Sequence, residues 1–314
     1  VLIDLHDHDP AEVDRLLGHG GFLLVTNHGV EPDLATDLRT AAASFFALPV
    51  EVKERYATSV LARGWVPYGR EANAYSSGTP TPPDMPTLPD MKESFTFGSD
   101  VLPPGMPPEL DALYGPNQWP DEVPALLAAG RAWIGAVHMF RDAMLEVFAT
   151  ALGLDPTWFG RAMRHPVWQV NVNWYPPAGA IGPAADGQFR IGPHTDFGVL
   201  TVLDRQPGHG GLQVQATDGT WSDAPFHPDA LTVNLGDLFA KWTAGRWLSA
   251  VHRVLPPPVD REESLLSLIC FVEGDADFLV TPFEPPIGAG IDVGTPIRAG
   301  DHLLNQLRAI DVVA

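Results

Sequence analysis

Three residues in this sequence have the types and order to hold a metal from one side. Gly192-Pro193-His194-Thr195-Asp196-Phe197-Gly198 carries a His and an Asp two apart. Ser249-Ala250-Val251-His252-Arg253-Val254 brings a second His much further along the chain. Residues two apart on a strand point to the same face. The gap to His252 is long enough for several strands and turns to return a third ligand to the first two. Two imidazoles and one carboxylate form a facial donor set that suits Fe(II) and leaves positions open for O₂ and a chelating co-substrate. His-x-Asp alone is a weak signal, because His and Asp are common neighbours on wet loops. The surrounding elements must supply the rest.

Those elements are mostly short strands. From Trp168 onward, Val170, Val172 and Trp174 alternate with Asn171, Asn173 and Tyr175, and Pro176-Pro177 ends the run. Thr201 to Asp204, Leu212 to Gln215, Trp221 to Ala224, Leu231 to Leu235, Ala250 to Val254 and Leu265 to Val272 follow, with Asp218-Gly219 as a hairpin turn. Short strands at regular spacing predict a mainly β protein with flanking helices and a double-stranded β-helix (jelly-roll) core.

Helices precede the strands. Asp9-Pro10-Ala11-Glu12 reads as N-cap, N1 proline and first-turn acid of a helix ending near Gly18-His19-Gly20-Gly21. Pro32 to Phe46 carries Leu34, Leu38, Ala42 and Phe45 on one stripe, and Glu51 to Tyr56 makes a short third helix. Asp121 to Leu152 is the longest, with Leu126, Ile134, Val137, Phe140, Met144, Leu145 and Phe148 near helical spacing. Gly64 to Asp90 is irregular and rich in Pro, Ser and Thr, a substrate-covering loop or a plain surface loop. His28, in a turn before Gly29, reads as structural rather than as a ligand. The expected organisation is one unit over residues 1–314. It divides into an amino-terminal α/β region (1–100), a helical segment (101–160), a jelly-roll core with the metal site (165–285) and a carboxy-terminal segment (286–314).

With 45% hydrophobic residues the chain can bury a sizeable core. Nineteen basic against 39 acidic residues give a formal net charge of −20. That balance argues against nucleic acid or an anionic membrane as partner, since both need a basic face. The single cysteine, Cys270, excludes an internal disulfide and sits in an apolar run, as a buried inert thiol would. No long apolar stretch and no basic leader point to a membrane or export, so the expected compartment is cytoplasmic and the expected partner a small molecule.

The sequence resembles the isopenicillin N synthase-like branch of the Fe(II)/2-oxoglutarate-dependent oxygenases over nearly its whole length. The resemblance is carried by Gly21-Phe22-Leu23-Leu24-Val25-Thr26-Asn27-His28-Gly29-Val30, Phe45-Phe46-Ala47-Leu48-Pro49 and Lys92-Glu93-Ser94-Phe95. Further along come Asn173-Trp174-Tyr175-Pro176, Gly211-Leu212-Gln213-Val214, Val233-Asn234-Leu235-Gly236-Asp237 and Trp242-Thr243-Ala244-Gly245-Arg246, in the family's order. It implies that His194, Asp196 and His252 bind Fe(II). It further implies that Asn173 and Tyr175 help hold 2-oxoglutarate or a polar group near the metal, and that O₂ oxidises a small molecule while the keto acid becomes succinate and CO₂. Hydroxylation, desaturation, ring closure or epoxidation are all open outcomes.

One motif departs from the pattern. The family's Arg-x-Ser strand grips the far carboxylate of 2-oxoglutarate through a bidentate guanidinium. Here Arg261 follows His252 at the family's spacing, but its serine, Ser264, comes one residue late. A bulge would bring the pair together. In a second register Ser267 takes the serine position, Leu265 the arginine position, and Arg261 falls in the preceding turn. The first register assigns Arg261 and Ser264 to 2-oxoglutarate. The second leaves the co-substrate without its arginine and fits a 2-oxoglutarate-independent oxidase on the same fold. A non-catalytic metal-binding or scaffold protein that kept the fold is a separate alternative, against which the intact triad argues.

Overall fold

The first elements follow from their punctuation. Leu2–Asp4 (β1) leads into Pro10–Gly20 (α1), whose N-cap Asp9 side chain accepts from the Ala11 N–H and whose proline stands at the first helical position. Gly21 ends it with φ 61°, and any side chain there would run into the Leu248 carbonyl, so the turn into Phe22–Thr26 (β2) requires glycine. Pro32–Phe46 (α2) and Val50–Lys53 (α3) follow, then Gly64–Val66 (β3) and Glu93–Gly98 (β4). The long helix is Pro124–Ala151 (α4), with Trp133, Ile134, Val137, Phe140, Met144 and Phe148 buried along it.

The strands of the core come next. They are Pro166–Tyr175 (β5), then Ala178–Ile181 (α5), Ile191–His194 (β6), Leu200–Asp204 (β7), Leu212–Gln215 (β8), Trp221–Asp223 (β9) and Leu231–Leu235 (β10). Asp237–Trp242 (α6), His252–Val254 (β11), Leu265–Asp275 (β12), Leu279–Val280 (β13), Ile297–Arg298 (β14) and Ala299–Ile310 (α7) complete the chain. This computed structural model describes residues 2–58, 63–72, 88–257 and 262–310. Residues 73–87, the body of the Pro/Ser/Thr-rich segment, and Arg261 lie outside the described residues.

Two sheets enclose the interior of the jelly roll. The larger has eight strands in the order β1-β2-β10-β7-β12-β5-β4-β3, the smaller four in the order β6-β11-β8-β9. The helices cover the outer face of the large sheet, because alternation there turns apolar side chains outward toward them. Val170 and Val172 of β5, Leu268, Cys270 and Val272 of β12 and Val202 of β7 pack with Trp133, Phe140 and Phe148 of α4 in one core. The opposite faces of the same strands look inward. They carry Gln169, Asn171, Asn173 and Tyr175 on β5, and Leu265, Ser267, Ile269 and Phe271 on β12. A smaller cluster of Tyr175, Ile191, Leu212, Val254 and Leu265 packs between the two sheets. Burial pushes the Cys270 thiol up to about 12, which leaves it inert.

The amino-terminal strands are part of this architecture. β2 pairs with β10, and β4 with β5, so segments far apart in sequence extend the same sheet that carries the inward-facing polar residues. His28 is structural: its Nδ1 accepts from the Val30 N–H and its ring meets Phe140 edge-on.

Candidate active site

His194 ends β6 and His252 begins β11, and the two are direct partners across the antiparallel pair. Strand pairing alone therefore sets the imidazoles side by side, with ring centroids 4.2 Å apart. Asp196 lies just past the end of β6, in the loop to β7, so its position comes from that loop and not from strand alternation. Its carbonyl accepts from the Asp237 N–H (2.8 Å), which ties the loop to the start of α6. The ligand atoms of His194, Asp196 and His252 all lie within 4.8 Å of one another, and all three residues are buried.

Each donor atom is aimed by a second bond. His194 Nδ1 is 2.8 Å from the Gly192 carbonyl, and His252 Nδ1 is 3.1 Å from the Ala250 carbonyl. A carbonyl can only accept, so both Nδ1 atoms carry the proton and both Nε2 lone pairs face the shared centre. Asp196 Oδ2 accepts from Thr201 Oγ1 and Asn234 Nδ2, each at 2.6 Å. Oδ1 is left 3.8 Å from each His Nε2. Two neutral nitrogens and one carboxylate oxygen, all with open lone pairs on one point, fit a divalent iron.

The electrostatics agree. Burial, then the neighbouring His252, pulls the His194 imidazole down to about 4, so it is neutral and able to ligate. Burial pushes the Asp196 carboxyl upward, but the two imidazoles and the Thr201 and Asn234 bonds outweigh it and hold the group below its usual range. Phe22 packs edge-on against His252, 5.4 Å between centroids, and fixes that ring from the β2 side.

The cavity runs from this centre in two directions. At the end away from Tyr175 stand Arg63, Gln169, Asn171, Phe271 and Glu273, together with Leu303 and Leu307 of α7. α7 is clamped to the metal loop: His302 Nε2 donates to the Phe197 carbonyl (3.0 Å) and Gln306 Nε2 to Asp237 Oδ2 (3.3 Å). Lys92 also reaches the cavity, buried against the Glu71 carboxylate and donating to Ser94 Oγ (2.8 Å). At the deep end are Asn173, Tyr175, Leu203, Arg205, Leu265 and Ser267. Asn173 accepts from Ser94 Oγ (2.7 Å), and burial pushes the Tyr175 hydroxyl up to about 12.

The structure thus brings five expected site residues to one cavity: His194, Asp196, His252, Asn173 and Tyr175. It does not bring Ser264 there. Ser264 is exposed and its Oγ accepts from Trp174 Nε1 (2.8 Å). Trp174 is on the outward face of β5, stacked on Phe46. β12 pairs Ser267 with Asn173 and Leu265 with Tyr175, so Ser267 takes the inward serine position and Leu265 stands two residues before it. Sequence reasoning does not single out Thr201 and Asn234 as partners of Asp196, or Arg205 and Glu273 as cavity residues. Strand alternation from Thr201 through Leu203 to Arg205 is the available signal.

The same organisation occurs in known proteins. Residues 3–122 match the family described as the non-haem dioxygenase in morphine synthesis N-terminal, and residues 167–274 match the 2OG-Fe(II) oxygenase superfamily. A relative named validamycin A dioxygenase, from Streptomyces hygroscopicus subsp. limoneus, is 37% identical over 297 residues, covering 94% of this chain and 79% of the relative. A 2-oxoglutarate-dependent dioxygenase of Monascus ruber is 31% identical over 299 residues, covering 91% of this chain and 84% of the relative. Among solved structures, a 2OG-Fe(II) oxygenase family protein from Caulobacter crescentus superposes with a TM-score of 0.79 at 26% identity, over 98% of both chains. A full-length Neurospora crassa protein, solved in complex with α-ketoglutarate and thymine, gives 0.78 at 26% identity, over 98% of this chain and 96% of that one.

Proposed function

Because the chain belongs to the 2OG-Fe(II) oxygenase superfamily, we propose that His194, Asp196 and His252 are its iron ligands and that Asn173, Tyr175 and Ser267 line the bed of 2-oxoglutarate. The enzyme is an Fe(II)- and 2-oxoglutarate-dependent dioxygenase acting on a small molecule. The observation that carries the ligand reading is the pair of Nδ1–carbonyl bonds, which points both Nε2 atoms at Asp196 Oδ1. We read the chain in the isopenicillin N synthase-like branch, on the motifs between the metal ligands.

Bound iron supplies the redox chemistry that couples oxidative decarboxylation of 2-oxoglutarate to oxidation of the substrate. The chain's own residues do the rest. Thr201 and Asn234 hold Asp196 so that one carboxylate oxygen stays available. The apolar walls from Ile191, Leu212, Val254 and Leu265 keep water from the deep end. The end of the cavity away from Tyr175 has an apolar side (Leu303, Leu307) and a polar side (Arg63, Gln169, Asn171), which suits a small amphipathic or polar substrate rather than a nucleic acid. The net charge of −20 supports the same view. Among the described residues no helix is long and apolar enough to cross a membrane.

Anaerobic titration of the protein with Fe(II) and then 2-oxoglutarate tests this reading. A visible charge-transfer band on adding the keto acid is expected, and it should vanish in His194→Ala and His252→Ala. A band that persists in either variant overturns the ligand assignment.

A further inference from the structure

A dicarboxylate that chelates the metal through one end needs a cation for the other. The expected arginine position two residues before Ser267 is occupied by Leu265, which is 6% exposed and carries no charge. Among the described residues, three cationic side chains line the cavity: Arg63, Lys92 and Arg205. Lys92 is already neutralised by Glu71. Arg63 lies at the end of the cavity away from Tyr175, donating to Gln169 Oε1 (2.5 Å) and to the Leu113 carbonyl (3.3 Å).

Arg205 is placed differently. β12 pairs with β7 through Ile269↔Leu203 and Leu268↔Asp204. Continuing that antiparallel register one step sets Arg205 beside Ser267, and alternation from Thr201 and Leu203 turns all three to the interior. Its Nη1 is anchored on two backbone carbonyls, Ala224 (3.4 Å) and Pro225 (2.7 Å). Among the described residues no carboxylate pairs with it. A guanidinium fixed along one edge, facing a cavity and left without a counter-charge, is suited to a carboxylate that arrives from outside.

A second arginine stands behind it. Arg190 is 1% exposed, lies over the Tyr175 ring at 5.2 Å, and donates through Nη1 to the Gly210 carbonyl (3.4 Å). Arg205 reaches the other side of the same glycine: a side chain on Gly210 would come within 3.6 Å of its Nη2. Arg190 Nη2 has no hydrogen-bond partner among the described residues, and the Glu263 carboxylate is 3.8 Å from Nη1.

We propose that Arg205, on the strand next to Ser267, binds the far carboxylate of 2-oxoglutarate in place of an arginine on β12. Ser267 and Tyr175 complete the site, and Arg190 is a positioning residue that holds the Tyr175 ring. The clamp thus moves one strand sideways while its serine stays where it was. This inference rests on the 2-oxoglutarate reading given above.

The test is anaerobic titration of the Fe(II)-loaded enzyme, followed by the charge-transfer band, with two keto acids. 2-Oxoglutarate carries the far carboxylate and 2-oxopentanoate lacks it. The wild type should bind 2-oxoglutarate far more tightly than 2-oxopentanoate. Arg205→Ala should weaken 2-oxoglutarate by about ten- to a hundredfold and leave 2-oxopentanoate unchanged, which also shows that the variant is folded and loaded. Arg205→Lys should recover part of the loss, since an ammonium keeps the charge but not the planar fork. Arg261→Ala should leave both affinities as they are. Unchanged 2-oxoglutarate affinity in Arg205→Ala, or a large loss in Arg261→Ala alone, overturns the proposal. Equal loss of both keto acids in Arg205→Ala, with Arg205→Lys no better, makes the residue structural and overturns it too. Absence of any band in the wild type with 2-oxoglutarate would instead remove the functional reading itself.

Discussion

Around the metal ligands the hydrogen bonds close. Both Nδ1 atoms reach backbone carbonyls, and Asp196 Oδ2 holds two donors. Around the deep end of the same cavity they do not: among the described residues Arg205, which lines it, pairs with no carboxylate, and Arg190 Nη2 and Glu263 Oε1, behind its wall, are buried without hydrogen-bond partners. The two ends have different tasks. Metal ligands must keep one geometry through every turnover, so the protein fixes them with its own groups. A pocket end that takes up and releases a charged molecule cannot be neutralised internally without losing affinity for it.

Removing a ligand from the closed end should have the largest effect. His194→Ala or His252→Ala should abolish turnover at saturating Fe(II), with the circular dichroism spectrum retained, because neither ring supports the helical core. Activity near the wild-type level in either variant would break the contrast at its root.

Loosening that end without removing a ligand should cost less. Asn234→Ala leaves Asp196 with Thr201 as the donor to Oδ2 and frees the carboxylate to turn. Support of this kind is typically worth about 10- to 100-fold in metal affinity or activity. Fe(II) titration by competition with a chelator reads it directly. Thr201→Val should show a loss in the same range, and the double variant a smaller added loss than the two singles combined, since both act on one oxygen. Strictly additive losses would mean that the two donors support Asp196 independently.

Legibility in the sequence follows the same division. The triad is readable because His194 and Asp196 are local neighbours and His252 sits in its own short motif. Helices α1, α2 and α4 are readable from Pro10 and Asp9, from Pro32, and from the stripe Ile134, Val137, Phe140, Met144. The start of α6, Gly236-Asp237, has the composition of a turn, and six residues are too few to show a helical period. The segment Asp301 to Ile310 is readable as a candidate substrate contact, but that Leu303 and Leu307 of α7 are the side chains lining the cavity is not written locally. The deep end depends on strand register. Ser264 and Ser267 both follow Arg261, and a slip by an odd number of residues turns every side chain to the other face. Only pairing with β5 and β7 decides which serine faces in, and pairing partners are not written locally.

The smallest expected effect concerns the end of the cavity away from Tyr175, where Glu273 is 6% exposed, lines the cavity and has an Oε2 with no hydrogen-bond partner among the described residues. A side chain on Gly198 would collide with it, so the carboxyl is held tightly against the metal loop. Burial, and then the charges of Asp196 and Asp237, push its pKa up from 4.5 to about 8. Between those two values the folded state binds more protons at Glu273 than the unfolded chain does. The stability linked to this group is therefore full below about 4.5 and declines as pH rises toward about 8. One pKa unit corresponds to about 1.4 kcal/mol, so even a single unit expressed would lower the melting temperature by roughly 2–4 °C in a protein approaching this size. Glu273→Gln keeps the shape and removes the titration. The melting temperature of the metal-free wild type, measured from pH 5 to pH 8, should fall more steeply than that of the variant, and the two curves should lie closest at pH 5. Parallel curves across that range would show that Glu273 titrates normally, and that this end of the cavity, like the metal centre, has its charges internally balanced.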